Sequence, residues 1–348
     1  MKIKTMRYLG GIALTALVTL FASCDETITN TTGSGPRMDT LSVINNWFLD
    51  ENTTVRATDF GAETFAPVNL FNADGELFAA NPEGKTVEVF DAVDMRHLRT
   101  LRHADRGTEA WAVCADGDYV YAACGSMREV QLFNRKTGDY VTRLNSAWVA
   151  SVAVSDKYVF IRDSKDYNIP VFAKSDINPL KADNGTVFAR LTTDDTFIGS
   201  KTEPQNNSYS ITVMGDSLYA FMYTRRQIYA YSLADVETLK NLTQPLRTTL
   251  AEGVTVYSAA PAADGKTIWL SMKLDGVKAM AQFNLDDFAN RNFSRPLRAF
   301  KAHNRHPFDG TPMMTIQGET PIYTSPDGLE RWTIGNHPSY VMAPSKSR

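Results

Sequence analysis

Residues 117 to 144, GDYVYAACGSMREVQLFNRKTGDYVTRL, hold three short apolar runs, each ended by turn-forming residues. Short runs rich in β-branched and aromatic residues predict strands joined by tight turns. Within this stretch Tyr121 stands twelve residues before Phe133. The same interval separates Phe78 from Phe90, Phe160 from Phe172 and Tyr219 from Tyr231. A fixed interval that returns is the mark of a repeated supersecondary unit.

Alignment on Phe133 extends the unit. Third-strand aromatics fall at Phe48, Phe90, Phe133, Phe172, Tyr231 and Phe283, spaced 42, 43, 39, 59 and 52 residues apart. Second-strand aromatics fall at Phe78, Tyr121, Phe160, Tyr219, Trp269 and Trp332. Asp-Gly pairs at 74–75, 116–117, 264–265 and 327–328 precede these second strands, where a tight hairpin needs positive φ. Fourth strands follow as HLRTL, YVTRL, VFARL, PLRTTL and PLRAF. Four short antiparallel strands per unit of about 40 residues predict an all-β fold, a six-bladed β-propeller. The run YVYAACGSMREVQLFNRKTG resembles the YVTN family of propellers, and the likeness extends over most of residues 64–300.

The expected ring closes by pairing strands from both chain ends. LSVINNWF (41–48) and TVRAT (54–58) match third and fourth strands, and TPIYTS (320–325) and ERWTI (330–334) match first and second strands. Two strands from each end would complete the sixth blade and remove the open edge. A rival reading takes PMMTIQG as the first strand near the C-terminus and implies seven blades.

The N-terminus is organised differently. Lys2, Lys4 and Arg7 precede an apolar run of 14 residues, Leu9 to Ala22. As a helix it would rise about 21 Å, short of a bilayer core of about 30 Å, so residues 1–23 are expected to be an export signal. The ending Leu20-Phe21-Ala22-Ser23-Cys24 resembles a bacterial lipobox, which implies lipidation of Cys24. Residues 24–39 are polar and aperiodic, the composition of a flexible tether, leaving 40–348 as one propeller domain. Asp25 and Glu26 directly after the cysteine resemble the surface-export signal of Bacteroidetes lipoproteins, and Asp39-Thr40-Leu41 resembles that phylum's O-glycosylation site. The resemblance implies an outer-membrane, surface-exposed protein, with the periplasmic face as the alternative.

Composition changes this picture little: 43% of the 348 residues are hydrophobic and 22% charged. Removing the three basic residues of the signal takes the formal charge from −3 to −6. Weak acidity argues against a nucleic-acid partner, which needs a basic field. Cys114 and Cys124 flank a hairpin turning at Asp116-Gly117. In that register Cys114 faces Tyr119, five residues from Cys124 along the strand, too far for a disulfide. Both are expected to be buried thiols.

Five residues before the third-strand aromatics stand Lys85, Arg128, Tyr167, Arg226 and Lys278. A propeller turns equivalent positions into a ring, so these residues are the candidate binding site for an anionic glycan or a surface protein. The competing reading is that exposed hairpin tips favour charge for solvation alone. His303 and His306 have an H-x-x-H spacing but no third ligand in their loop, so no metal site is assigned. No phosphate loop, dinucleotide fingerprint or nucleophile elbow is present, and no cofactor is implied. Carboxylates at Glu109, Asp163, Asp194, Asp195 and Asp309 leave open a hydrolase, lactonase or lyase at the channel mouth. The expected function is ligand binding without catalysis.

Overall fold

The computed structural model describes residues 28–29, 40–41, 47–146, 148–163, 168–193, 209–222, 226–250, 254–262, 265–274, 277–289, 297–301, 314–317, 320–325 and 328–336. The signal segment and Cys24 lie outside them. Of the tether, β1 (Ile28–Thr29) pairs with β2 (Thr40–Leu41), and β3 (Trp47–Val55) follows.

Four-stranded meanders then succeed one another. The first is β4 (Asn69–Ala73), β5 (Glu76–Asn81), β6 (Thr86–Asp91) and β7 (His97–Leu101). The second is β8 (Ala112–Ala115), β9 (Tyr119–Cys124), β10 (Glu129–Asn134) and β11 (Tyr140–Asn145). The third is β12 (Val149–Val154), β13 (Tyr158–Asp163), β14 (Asn168–Ala173) and, after an insertion carrying β15 (Asp183–Asn184), β16 (Ala189–Thr192). β15 adds to the second sheet instead, parallel to β11.

The fourth sheet is β17 (Tyr209–Met214), β18 (Ser217–Met222), β19 (Gln227–Ser232) and β20 (Leu246–Thr249), with helix α1 (Leu233–Leu239) before its last strand. The fifth is β21 (Val254–Pro261), β22 (Thr267–Leu274), β23 (Val277–Asn284) and β24 (Arg298–Lys301), with α2 (Leu285–Ala289) in the corresponding place. The sixth joins β25 (Met314–Gln317), β26 (Thr320–Ser325) and β27 (Gly328–Asn336) to β3 as its outermost strand.

First strands touch in a closed cycle: β4 to β8, β12, β17, β21, β25 and back to β4. The fold is an all-β propeller.

Register explains the twelve-residue interval. Phe78 pairs with Val89, Tyr121 with Leu132, Phe160 with Val171 and Tyr219 with Ala230. In each hairpin the third-strand aromatic is the next residue along, so it points to the opposite face of the sheet. The second-strand ring of one blade therefore meets the third-strand ring of the next. Phe78 shares a core cluster with Phe133, Tyr121 with Phe172, Phe160 with Tyr231, and Tyr219 with Phe283. Trp269 and Phe283 keep the same offset across a longer hairpin, because Trp269 pairs with Gln282.

Two expectations are corrected. The last sheet closes with three strands from the C-terminal end and one from the N-terminal end, not two and two. β3 runs unbroken through the polar stretch DENTT, which reads as a turn in sequence. Outermost strands lean least on the core, so their apolar signal is the weakest. Trp332 thus lies on a third strand and Phe48 on a fourth, while Met314–Gln317, within PMMTIQG, supplies the first strand of this same sheet. The β8–β9 hairpin is also shifted by two residues. Cys114 pairs with Tyr121, and Asp116 N–H bonds the Tyr119 carbonyl, which puts the turn at Gly117-Asp118. Gly117 lacks the positive φ of Asp74 (49°) and Gly75 (81°), whose two-residue turn does follow the Asp-Gly rule. Cys114 and Cys124 are free and buried on opposite faces of the sheet.

Candidate binding face

Hairpins joining second to third strands, and links joining fourth to first strands, open on one face around the channel. Lys85, Arg128 and Arg226 occupy the same backbone position there. Each has left-handed φ (54°, 58° and 54°), uncommon for a residue with a side chain. Each turns its carbonyl toward the chain leaving the fourth strand, accepting the N–H of Thr108 (2.8 Å), Ser146 (3.0 Å) and Leu250 (2.7 Å) respectively. Their side chains are exposed, and none has a carboxylate partner among the described residues. Lys278 differs, standing second in β23 and pairing with Lys273. Tyr167 lies outside the described residues.

Two aromatic side chains absent from the sequence reading stand beside these tips. Trp111 and Trp148 each directly precede an inner strand, β8 and β12, and are 49% and 38% exposed. Their backbones are fixed. Trp111 N–H donates to the Ala123 carbonyl at 2.8 Å, and Trp148 N–H donates to the buried Asp163 carboxylate at 3.3 Å. The hairpin between β9 and β10 runs between them. A Cβ on its Gly125 would lie 2.6 Å from the Val149 carbonyl and 3.6 Å from Trp111 Cδ1, so only glycine permits this approach. Three residues on, the Arg128 guanidinium sits over the Trp148 ring, 5.5 Å from its centroid. The signal was available in sequence: a Trp immediately ahead of AVCA and again ahead of VASVAV.

Other cations nearby are already committed. Arg106 and Arg143 converge on the buried Glu129 carboxylate at 3.2 and 3.0 Å, and Arg143 also bonds Asp183. Gln131 Nε2 donates to the same Glu129 at 2.9 Å. Burial, with Glu129 and Glu109 close by, pushes the Cys124 thiol well above its ordinary range. Burial and Asp116 do the same to Cys114. Neither is a thiolate at neutral pH, so neither is a nucleophile.

The channel itself encloses a cavity of about 160 Å³. Its polar lining is neutral among the described residues, with Asn69, Asn72, Ser151, Ser210, Thr212 and Ser258. Also among the described residues, no group of three or more His, Cys, Asp or Glu is arranged to hold a metal. Glu109 is half-buried in the link before β8. Asp194, Asp195, Asp309, His303, His306 and most of the long 192–208 loop lie outside the described residues.

The fold is an all-β propeller, and among the described residues one of its faces carries the cationic tips Lys85, Arg128 and Arg226 beside the exposed Trp111 and Trp148. No protein-family model and no curated protein matches the chain. Among solved structures it is similar to a chain of Kuenenia stuttgartiensis hydrazine synthase, at 13% identity over 76% of each chain. The TM-score of that superposition is 0.49, and it carries no argument about function.

Proposed function

We propose that this chain is a lipid-anchored, extracytoplasmic six-bladed propeller that binds a glycan or protein ligand through its loop face, without catalysis. The observation that carries this reading is the set of exposed, left-handed tip residues Lys85, Arg128 and Arg226, free of carboxylate partners among the described residues, beside two exposed indoles. Charges held in this way cost the fold little and remain available to a ligand. A hydrolase, lactonase or lyase is the less supported reading, since the channel lining described above offers amides and hydroxyls rather than paired carboxylates. The lipobox ending at Cys24 supports the anchor, and Asp25-Glu26 supports display on the outer surface.

The test is a screen of acidic and neutral glycans, and of surface proteins, at low and high salt. Replacing Lys85, Arg128, Arg226 and Lys278 with Gln should leave folding nearly unchanged and abolish salt-sensitive binding. If nothing binds at low salt, or the quadruple variant binds as well as the wild type, the tips are only a solvated rim.

A further inference from the structure

We infer that Trp111, Trp148 and Arg128 form one subsite bridging the second and third blades, and that it takes a pyranose ring bearing a carboxylate. The inference rests on the reading of the loop face as a binding surface and narrows it to a chemical class.

Three features point to a sugar. Both indoles are large rigid surfaces on fixed backbone, each at the entrance to an inner strand and on the same rim. With the backbone already fixed, binding has only two side-chain torsions per indole to order, a smaller cost than ordering a loop. An indole face is electron-rich, and the axial C–H bonds of a pyranose present a matching face of partial positive charge. Neither ring is buried in a core cluster, so half-exposed apolar area is left for a ligand to cover.

Arg128 supplies the preference for an acid. Its guanidinium lies over the Trp148 ring, which holds the plane in place by attraction to the π face and leaves the N–H edge for a partner. Arg106 and Arg143 cannot play this part, because Glu129 already takes both. A planar carboxylate is the natural match for the free edge of a guanidinium.

A peptide fits less well. Strand addition would use the outer edge of a blade, as β15 does on β11, and would leave the two indoles, which stand ahead of inner strands, uncovered.

The experiment is calorimetric titration of the folded protein with oligogalacturonate, oligomannuronate, oligoguluronate and hyaluronan fragments. Carboxyl-reduced versions of the same fragments and polyglutamate serve as comparisons. At least one uronate should bind, more tightly than its reduced form. Trp111→Ala and Trp148→Ala should each weaken binding about tenfold without changing the melting temperature. Arg128→Gln should weaken the uronate and leave the reduced sugar unchanged. The inference is overturned if no uronate binds at millimolar concentration, if both Trp variants bind like wild type, or if polyglutamate binds through the same three residues. Binding lost in the quadruple tip variant but retained in both Trp variants would leave the loop-face reading intact and remove this one.

Discussion

Lys174 Nζ lies 2.6 Å from Asp116 Oδ2, joining the third blade to the second. The contact repeats one blade earlier, where Arg135 meets Asp74 at 2.9 Å. Lys174 and Arg135 each directly follow a third strand, and Asp116 and Asp74 each directly follow a first strand. Arg135 adds Glu76 and the carbonyls of Ala73 and Asp116, all within 2.9 Å. At the corresponding place in the fourth blade, Leu233 packs against the Ala153 and Tyr158 cluster instead. The same joint is thus made ionic in two interfaces and apolar in a third.

This joint gives the protein a predictable weakness to acid. Burial alone would raise Asp116. The Lys174 ammonium, the Tyr119 amide, the Tyr121 hydroxyl and the Asp118 amide outweigh it and hold the carboxyl below its ordinary value of 3.8. A folded-state pKa below the unfolded one contributes stability above the unfolded value, lost as pH falls through the folded value. Asp116→Asn should therefore cost about 2 kcal/mol at neutral pH, and the gap from wild type should shrink as pH drops below 3.8. Urea denaturation across pH 2.5 to 7, roughly the span over which a paired carboxylate titrates, measures it. A gap constant with pH would show that Lys174 contributes no net charge pairing.

Removing one interface ring should be costly. Phe133 is fully buried against Phe78 between the first two blades. Phe133→Ala should lower stability by about 3–5 kcal/mol, and Phe133→Leu by clearly less. Equal losses in denaturant titrations would mean that the ring does not fill the joint.

Closure depends on one glycine. A Cβ on Gly328 would stand 1.9 Å from the Val55 carbonyl oxygen, where β27 meets β3, and the residue has a φ of 146°. Gly328→Ala should destabilise by about 3 kcal/mol or more and expose the N-terminal strand to limited proteolysis before the rest of the chain. Gly185→Ala, with nothing within 4 Å of the new methyl, serves as the neutral control. Identical cleavage of the two variants would show that β3 is not the clasp.

The anchor has its own test. Wild-type protein should fractionate with membranes, and Cys24→Ala should release it or leave an uncleaved precursor. Normal maturation and membrane retention of that variant would overturn the lipobox reading.

The repeat was legible because packing imposes it. A ring on the second strand and another one step past its partner are needed at every joint, so Phe78/Phe90 and Tyr121/Phe133 reappear at fixed spacing. The closing blade escaped this logic. Trp332 and Phe48 lie on adjacent strands, β27 and β3, but not on the pair that the interval describes, and β3 is an outer strand written in polar residues. Counting points to Lys85, Arg128, Arg226 and Lys278, yet the left-handed backbone that the first three share belongs to three-dimensional structure and no spacing rule predicts it. Trp111 and Trp148 share a place directly ahead of an inner strand, but residue type alone does not separate an exposed indole from a core one. Trp269, fully buried in the fifth sheet, has the same letter and a different fate.

β3 also sets the direction in which the molecule faces. Gly328 begins β27 beside the second-to-third hairpins of the mouth, and Trp47 pairs with Asn336 at the strand's other end. β3 therefore begins, at Trp47, on the side of the propeller opposite the mouth. A hold applied at the start of β3, whatever its chemistry, would lie on the side away from the indoles and cationic tips. A pull on a captured ligand would load β3 lengthwise against β27, so that the hydrogen bonds of the long ladder share the force instead of parting one after another.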